Sequence, residues 1–191
     1  MMNKAIFLDR DGTINVDKKY LSKIEDFEYL SGAIEGLKLL QDAGYLLIII
    51  TNQSGIARGY YTEDDFSKLN DWMIQNLKSR GIEISKVYYC PHHLDGKIEK
   101  YRVDCNCRKP KLGLYQKAIE DFDIDLSESW TIGDKLRDSQ ICETTNCRGF
   151  LISDLEKTNI IDVVKRGNIR NIEYANDLYD AAKMIVNRSI C

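Results

Sequence analysis

A chain of 191 residues that is 43% hydrophobic and 30% charged, with two prolines and twelve glycines, has enough apolar material for one packed domain; collagen, low-complexity disorder and a bare disulfide scaffold are excluded. Twenty-seven basic against thirty acidic residues leave a formal net charge of -3, with neither a basic excess for nucleic acid nor an acidic tail for a charged partner. The longest apolar run, Leu46 to Ile50, falls short of the roughly 20 residues a membrane span needs, and the N-terminus has no signal-peptide core, so a cytoplasmic protein without membrane contact is expected.

Lys4 to Leu8 is predicted as a short strand running into the acidic turn at Asp9. Ser31 is placed to cap a helix that continues to about Ala43, with Ile34, Leu37 and Leu40 on its apolar face and Gly44 as its stop. Tyr45 to Ile50 is continuously apolar, the pattern of a strand covered on both faces in a parallel sheet. Thr62 caps a second helix, with Phe66, Leu69, Met73 and Leu77 facing inward and an end near Gly81. A short strand follows at Val87 to Tyr89, and residues 90–111 carry little periodicity. A third helix is predicted over 113–122, a strand from Ser129 to Ile132, a helix near 136–145, a strand from Gly149 to Ile152 and a closing helix from Ala175 to Val186. This alternation is the α/β pattern: a Rossmann-like three-layer sandwich around a central parallel sheet, with residues 1–191 as a single domain. In such sheets ligands bind at the carboxyl ends of the strands, where three of the polar motifs fall.

The first motif is Asp9-Arg10-Asp11-Gly12-Thr13. Two carboxylates two residues apart in a turn can share a divalent cation, one attacking phosphorus while the other handles a proton. The second is Thr51-Asn52-Gln53-Ser54-Gly55, whose hydroxyls and amides can donate to phosphate oxygens. The third, Arg108-Lys109-Pro110-Lys111, offers cations for charge that builds in a phosphoryl transition state. The fourth is Gly133-Asp134-Lys135-Leu136-Arg137-Asp138, where a further carboxylate can complete a Mg²⁺ site. Taken singly, each reads equally well as a turn, a helix cap or a solvated face.

Taken in order, as Asp9-x-Asp11-Gly12-Thr13, Thr51, Lys109 and Gly133-Asp134-x-x-x-Asp138, they resemble the four motifs of the haloacid dehalogenase-like superfamily of phosphotransferases. The resemblance implies that Asp9 is a nucleophile forming an aspartyl-phosphate and that Asp11 is the general acid, then base. It implies that Asp9, the Asp11 backbone carbonyl and Asp134 hold catalytic Mg²⁺, and that Thr51 and Lys109 bind the transferring phosphoryl group. Asp138 would orient the metal site without binding it.

Six cysteines stand at 90, 105, 107, 142, 147 and 191. In Cys90-Pro91-His92-His93 and Cys105-Asn106-Cys107 a fourteen-residue stretch, 91 to 104, separates Cys90 from Cys105, and two pairs of soft ligands joined by a loop suit tetrahedral Zn²⁺. Cys90, His92, Cys105 and Cys107 are the expected ligands of a structural zinc, with His93 as the competing histidine; the alternative is a set of reduced buried thiols. Cys142, Cys147 and Cys191 are expected as free packing thiols, and Trp72 and Trp130 as core residues.

The zinc loop of about 90–107, running into Arg108-Lys109-Pro110, narrows the resemblance to the heptose bisphosphate phosphatases, relatives of histidinol-phosphatase domains. That resemblance implies removal of the 7-phosphate of D-glycero-D-manno-heptose 1,7-bisphosphate in the synthesis of nucleotide-activated heptose for lipopolysaccharide or another surface glycan. Asp17, Lys18, Lys19, Tyr20, Asn52, Gln53, Ser54 and Arg108 would recognise the sugar or its second phosphate, and Lys135 would reach a phosphate oxygen or Asp9. Histidinol phosphate is the competing substrate, and an inactive zinc-stabilised binding protein the alternative of another class. Two departures from the family pattern, Lys111 in place of a second proline and Arg137 in place of an acidic residue, fall near the expected pocket mouth. No long cap insertion interrupts 13–51 or 52–108, which favours a small substrate, and no spare amphipathic face suggests more than a monomer.

Overall fold

The computed structural model describes residues 2–152 and 171–188. The strands are β1 (Ala5–Leu8), β2 (Leu46–Asn52), β3 (Ile84–Cys90), β4 (Trp130–Gly133), β5 (Arg148–Ile152) and β6 (Ile172–Ala175). The α-helices are α1 (Ala33–Asp42), α2 (Ser54–Arg58), α3 (Glu63–Ser79), α4 (Gly113–Phe122) and α5 (Leu178–Arg188). All strand pairs are parallel, in the order β3-β2-β1-β4-β5-β6.

Alternation along each strand builds two cores. Ile6 and Leu8 of β1 and Leu47 and Ile49 of β2 pack with Leu37 and Leu40 of α1, Met73 and Leu77 of α3, and Ala181 and Ile185 of α5. Ala5, Phe7, Ile48 and Ile50 face the other way, onto Leu114, Tyr115 and Ala118 of α4 and onto Ile141, Cys142 and Cys147. These are the helical layers of a three-layer sandwich, and each fully buried Leu or Ile stabilises it by about 1.5–3 kcal/mol. The strand order also places the site. Strands are added outward from β1 on one side and from β4 on the other, so the chain changes direction between these two neighbours. A crevice opens at their carboxyl ends. Leu8 pairs with Ile132 there, so Asp9 and Asp134 emerge side by side.

Several local expectations are corrected. The first helix is entered through Gly32, in a left-handed conformation and without a side-chain cap, rather than through Ser31. The expected helix near 136–145 is a 3₁₀ segment, Leu136–Glu143, broken at Ser139 (φ -114°, ψ 17°). Ser139 is drawn inward to hydrogen bond Thr131 at 2.7 Å, which competes with regular helix. The sixth strand was not predicted: it lies on the sheet edge, where its pattern is too short to read. Its last residue, Ala175, is where the closing helix was expected, but α5 begins at Leu178 after the Asp177 carboxylate accepts from the Asp180 amide. Thr62 does cap α3, in a capping box with Asp65. Trp130 is buried and Trp72 packs partly buried against the same core, while Cys191 lies outside the described residues. No helix among the described residues is long and apolar enough to cross a membrane.

Candidate active site

Asp9 stands one residue beyond β1, its amide donating to Ile132 O of β4 at 3.0 Å. One carboxylate oxygen accepts from Lys109 Nζ at 2.9 Å. The same ammonium lies 2.8 Å from Asp138 Oδ1 and donates to the Ile50 carbonyl at 2.5 Å. Lys109 is 2% exposed and spends its three protons inside the protein, so its charge is applied from beneath Asp9 rather than from the cavity. Its backbone is clamped in turn. Asn52 at the end of β2 donates from its amide to Lys109 O and accepts from Lys109 N, both at 3.1 Å.

Ligand oxygens of Asp9, Asp134 and Asp138 lie within 4.8 Å of one another. Asp134 Oδ1 is buried and without a hydrogen-bond partner, while its other oxygen accepts from Lys135 Nζ at 2.6 Å. An orphaned buried carboxylate oxygen beside a second carboxylate is a good match for a hard cation. Gly12 is required there: with φ at +89°, a Cβ would stand 2.5 Å from Asp134 Oδ2. Burial raises the Asp9 pKa to about 6, against the opposing pull of Lys109 and with help from the Asp138 and Asp11 charges. Burial likewise raises Asp134. Burial pulls Lys109 down, yet the attraction of Asp9 and Asp138 outweighs it and leaves the ammonium above its ordinary value.

Asp11 points into a different set of partners. Arg10 donates to both its oxygens at 3.0–3.3 Å, Asn15 Nδ2 to Oδ1 at 3.0 Å and Gln53 Nε2 to Oδ2 at 2.9 Å. Burial works against the charged form, but these donors prevail and hold its pKa below the usual carboxylate range. Arg10 was not singled out from the sequence. It is fully buried, lies over the Phe66 ring, and serves Asp11 rather than solvent.

A cavity of about 340 Å³ opens above these groups. Asp9, Asp11 and Thr51 form part of its lining, with Asp17, Lys19, Tyr20, Asn52, Gln53, Ser54 and Lys135 from the expected recognition set. Two members of that set stand outside it: Lys18 pairs with Glu28 at 3.2 Å, and Arg108 donates to the His92 carbonyl at 3.3 Å. Arg137 joins the lining, as does Tyr61, which sequence reasoning missed because a lone tyrosine in a loop carries no pattern.

Cys90, His92, Cys105 and Cys107 converge with their ligand atoms within 4.8 Å of one another. Cys107 Sγ is 3.2 Å from Cys90 Sγ, 3.1 Å from Cys105 Sγ and 3.2 Å from His92 Nδ1. Tetrahedral thiolate sites have ligand–ligand edges of about 3.8 Å, so a small outward adjustment fits zinc. His93 turns away, with Nε2 3.1 Å from Arg58. Cys142 and Cys147 are buried free thiols, Cys147 donating to the Ser129 carbonyl at 3.3 Å.

Over residues 4–163 the chain matches the family described as polynucleotide kinase 3 phosphatase. Among curated proteins, the D-glycero-beta-D-manno-heptose-1,7-bisphosphate 7-phosphatase of Pasteurella multocida is 52% identical over 137 residues, covering 72% of this chain and 74% of that one. The protein of the same name from Haemophilus ducreyi is 48% identical over 149 residues, covering 78% and 81%. Among solved structures, the D,D-heptose 1,7-bisphosphate phosphatase of B. bronchiseptica, complexed with magnesium and phosphate, superposes with a TM-score of 0.80 at 28% identity, covering 97% of this chain and 99% of that one. A HAD-like phosphatase from Mesorhizobium loti gives 0.74 at 34% identity, covering 79% and 73%.

Proposed function

The chain belongs to the polynucleotide kinase 3 phosphatase family, and from that premise we propose that it is a Mg²⁺-dependent phosphatase that removes the 7-phosphate of D-glycero-D-manno-heptose 1,7-bisphosphate, leaving heptose 1-phosphate. The observation that carries this reading is the cluster of Asp9, Asp134 and Asp138, the first and last paired with the buried Lys109, beside a small cavity lined by both carboxylates and cations, in a chain about half identical to enzymes of that name. The names of those relatives specify the β anomer, and the proposal extends to it.

In this scheme an Asp9 oxygen attacks the 7-phosphorus in line with the sugar oxygen. The P–O bond to the sugar breaks, and Asp11 gives its proton to the departing oxygen. An incoming phosphate dianion adds negative charge beside Asp11 and favours the acid form, opposing Arg10. Asp11 then takes a proton from water, which attacks the phosphorus of the aspartyl-phosphate; the bond to Asp9 breaks and phosphate leaves. Thr51 donates its hydroxyl to a phosphoryl oxygen, and Lys109 offsets charge at Asp9 throughout. Mg²⁺, held by Asp9, the Asp11 carbonyl and Asp134, supplies positive charge to the phosphoryl oxygens when bound. Lys19, Lys135 and Arg137 are the wall cations available to the phosphate that is not cleaved.

A structural zinc on Cys90, His92, Cys105 and Cys107 belongs to the same proposal, as does a monomer acting in the cytoplasm. The soft donor set supports the zinc, and the loop it would order leads directly to Arg108 and Lys109. Incubation with each anomer of the bisphosphate and Mg²⁺ should release one phosphate per sugar and leave the 1-phosphate, faster than phosphate release from histidinol phosphate. Failure with metal-loaded enzyme, or preference for histidinol phosphate, overturns the heptose reading.

A further inference from the structure

Gln53 was expected among the residues that touch the sugar. Yet it is 2% exposed and its side-chain amide is fully committed to protein groups. Nε2 donates one hydrogen to Asp11 Oδ2 at 2.9 Å and the other to Thr51 Oγ1 at 2.9 Å. Oε1 accepts from the Tyr61 hydroxyl at 2.5 Å and from Arg10 at 3.4 Å. The orientation of the amide follows from its neighbours. Reversed, it would set its NH₂ against the Arg10 guanidinium and its carbonyl against the Asp11 carboxylate. The backbone is pinned as well, the Gln53 amide donating to Cys90 O at 2.8 Å. Tyr61 reaches Gln53 across a glycine: at Gly55 a Cβ would stand 2.1 Å from the Tyr61 ring. Burial raises the Tyr61 pKa, so the phenol remains a donor.

We propose that Gln53 is a positioning residue: set by Tyr61 and Arg10, it holds the Asp11 carboxylate over the leaving-group oxygen and accepts no contact from the sugar. By donating to Thr51 Oγ1 it also leaves the threonine proton free to point at a phosphoryl oxygen. The inference rests on the reading of Asp11 as general acid and base. It does not depend on which alkyl phosphate is the natural substrate.

Proton donation matters for a basic alkoxide leaving group and hardly at all for a nitrophenolate. The test therefore compares kcat/KM, which reports the first P–O cleavage, for heptose bisphosphate, a simple alkyl phosphate and p-nitrophenyl phosphate. Gln53→Met roughly preserves volume and removes the side-chain hydrogen bonds to Asp11, Thr51, Tyr61 and Arg10 while keeping the backbone bond to Cys90. It should lower kcat/KM about 30-fold or more for both alkyl esters, through kcat, and about threefold or less for the aryl ester. Tyr61→Phe should skew the ratio the same way by a smaller factor, and decides the matter if Gln53→Met does not fold. Equal loss on all three substrates would mark a packing role and overturn the proposal. Loss on the sugar bisphosphate alone would mark a sugar contact and overturn it too. Wild-type enzyme that cleaves the simple esters but not the heptose bisphosphate would refute the proposed substrate while leaving this comparison decisive.

Discussion

The switch-point cluster and the cysteine loop meet at Arg108 and Lys109, but different forces hold them. Asp9 and Asp134 directly follow strands buried in the sheet, and Asp138 sits in the short 3₁₀ segment after β4, so backbone pairing and two apolar layers set positions to which the chemistry is then added. The loop has less of that support: Tyr101 packs with Phe66 and hydrogen bonds Glu63, and the Ile98 amide donates to the Ala57 carbonyl. Leu94, Ile98 and Val103 are exposed, and the main convergence in the segment is that of four soft donor atoms. One region is preorganised by the core, while the other gathers around the four donor side chains of the proposed zinc site. Substitution should therefore separate chemistry from shape in the first and couple them in the second.

The largest effect is expected for Asp9→Asn. An amide is a poor nucleophile, so phosphate release should fall by about four orders of magnitude or more, while removal of a buried, desolvated carboxylate leaves the melting temperature unchanged or higher. A variant with measurable turnover would relocate the attacking group. Cys105→Ser, or chelation of zinc, should be milder for rate and harsher for structure. Activity should fall about tenfold to a hundredfold, by analogy with supporting residues at other metal centres, and limited proteolysis should cut within 91–104. Unaltered proteolysis after confirmed zinc loss would show that the loop is held by packing. The smallest effect is expected for Thr62→Ala, on neither region. Loss of the α3 cap should cost about 1 kcal/mol in denaturant unfolding with kcat/KM unchanged; a change in rate would mean that α3 communicates with Tyr61, one residue before the cap.

Most of this division was legible in the chain. β2, with no polar alternation, could only be a covered strand, and the aspartates after β1 and β4 declared themselves by following short apolar runs. The paired Cys-x-His and Cys-x-Cys spacing made the loop readable without any apolar pattern. What escaped notice is tertiary. A basic run suggests a solvated face, whereas Lys109 turns inward because two buried carboxylates and a carbonyl compete for its protons. Arg10 and Tyr61 carry no spacing that links them to Gln53, since the fold alone brings β1, β2 and the segment before α3 together. The break at Ser139 likewise depends on a threonine eight residues away on β4.

Asn52 clasps the main chain of Lys109. Because the end of β2 grips the lysine main chain from the sheet side, Lys109 is tethered at two points, to the sheet through Asn52 and to the cysteine loop through the chain that precedes it, and a disturbed loop loosens only one of them.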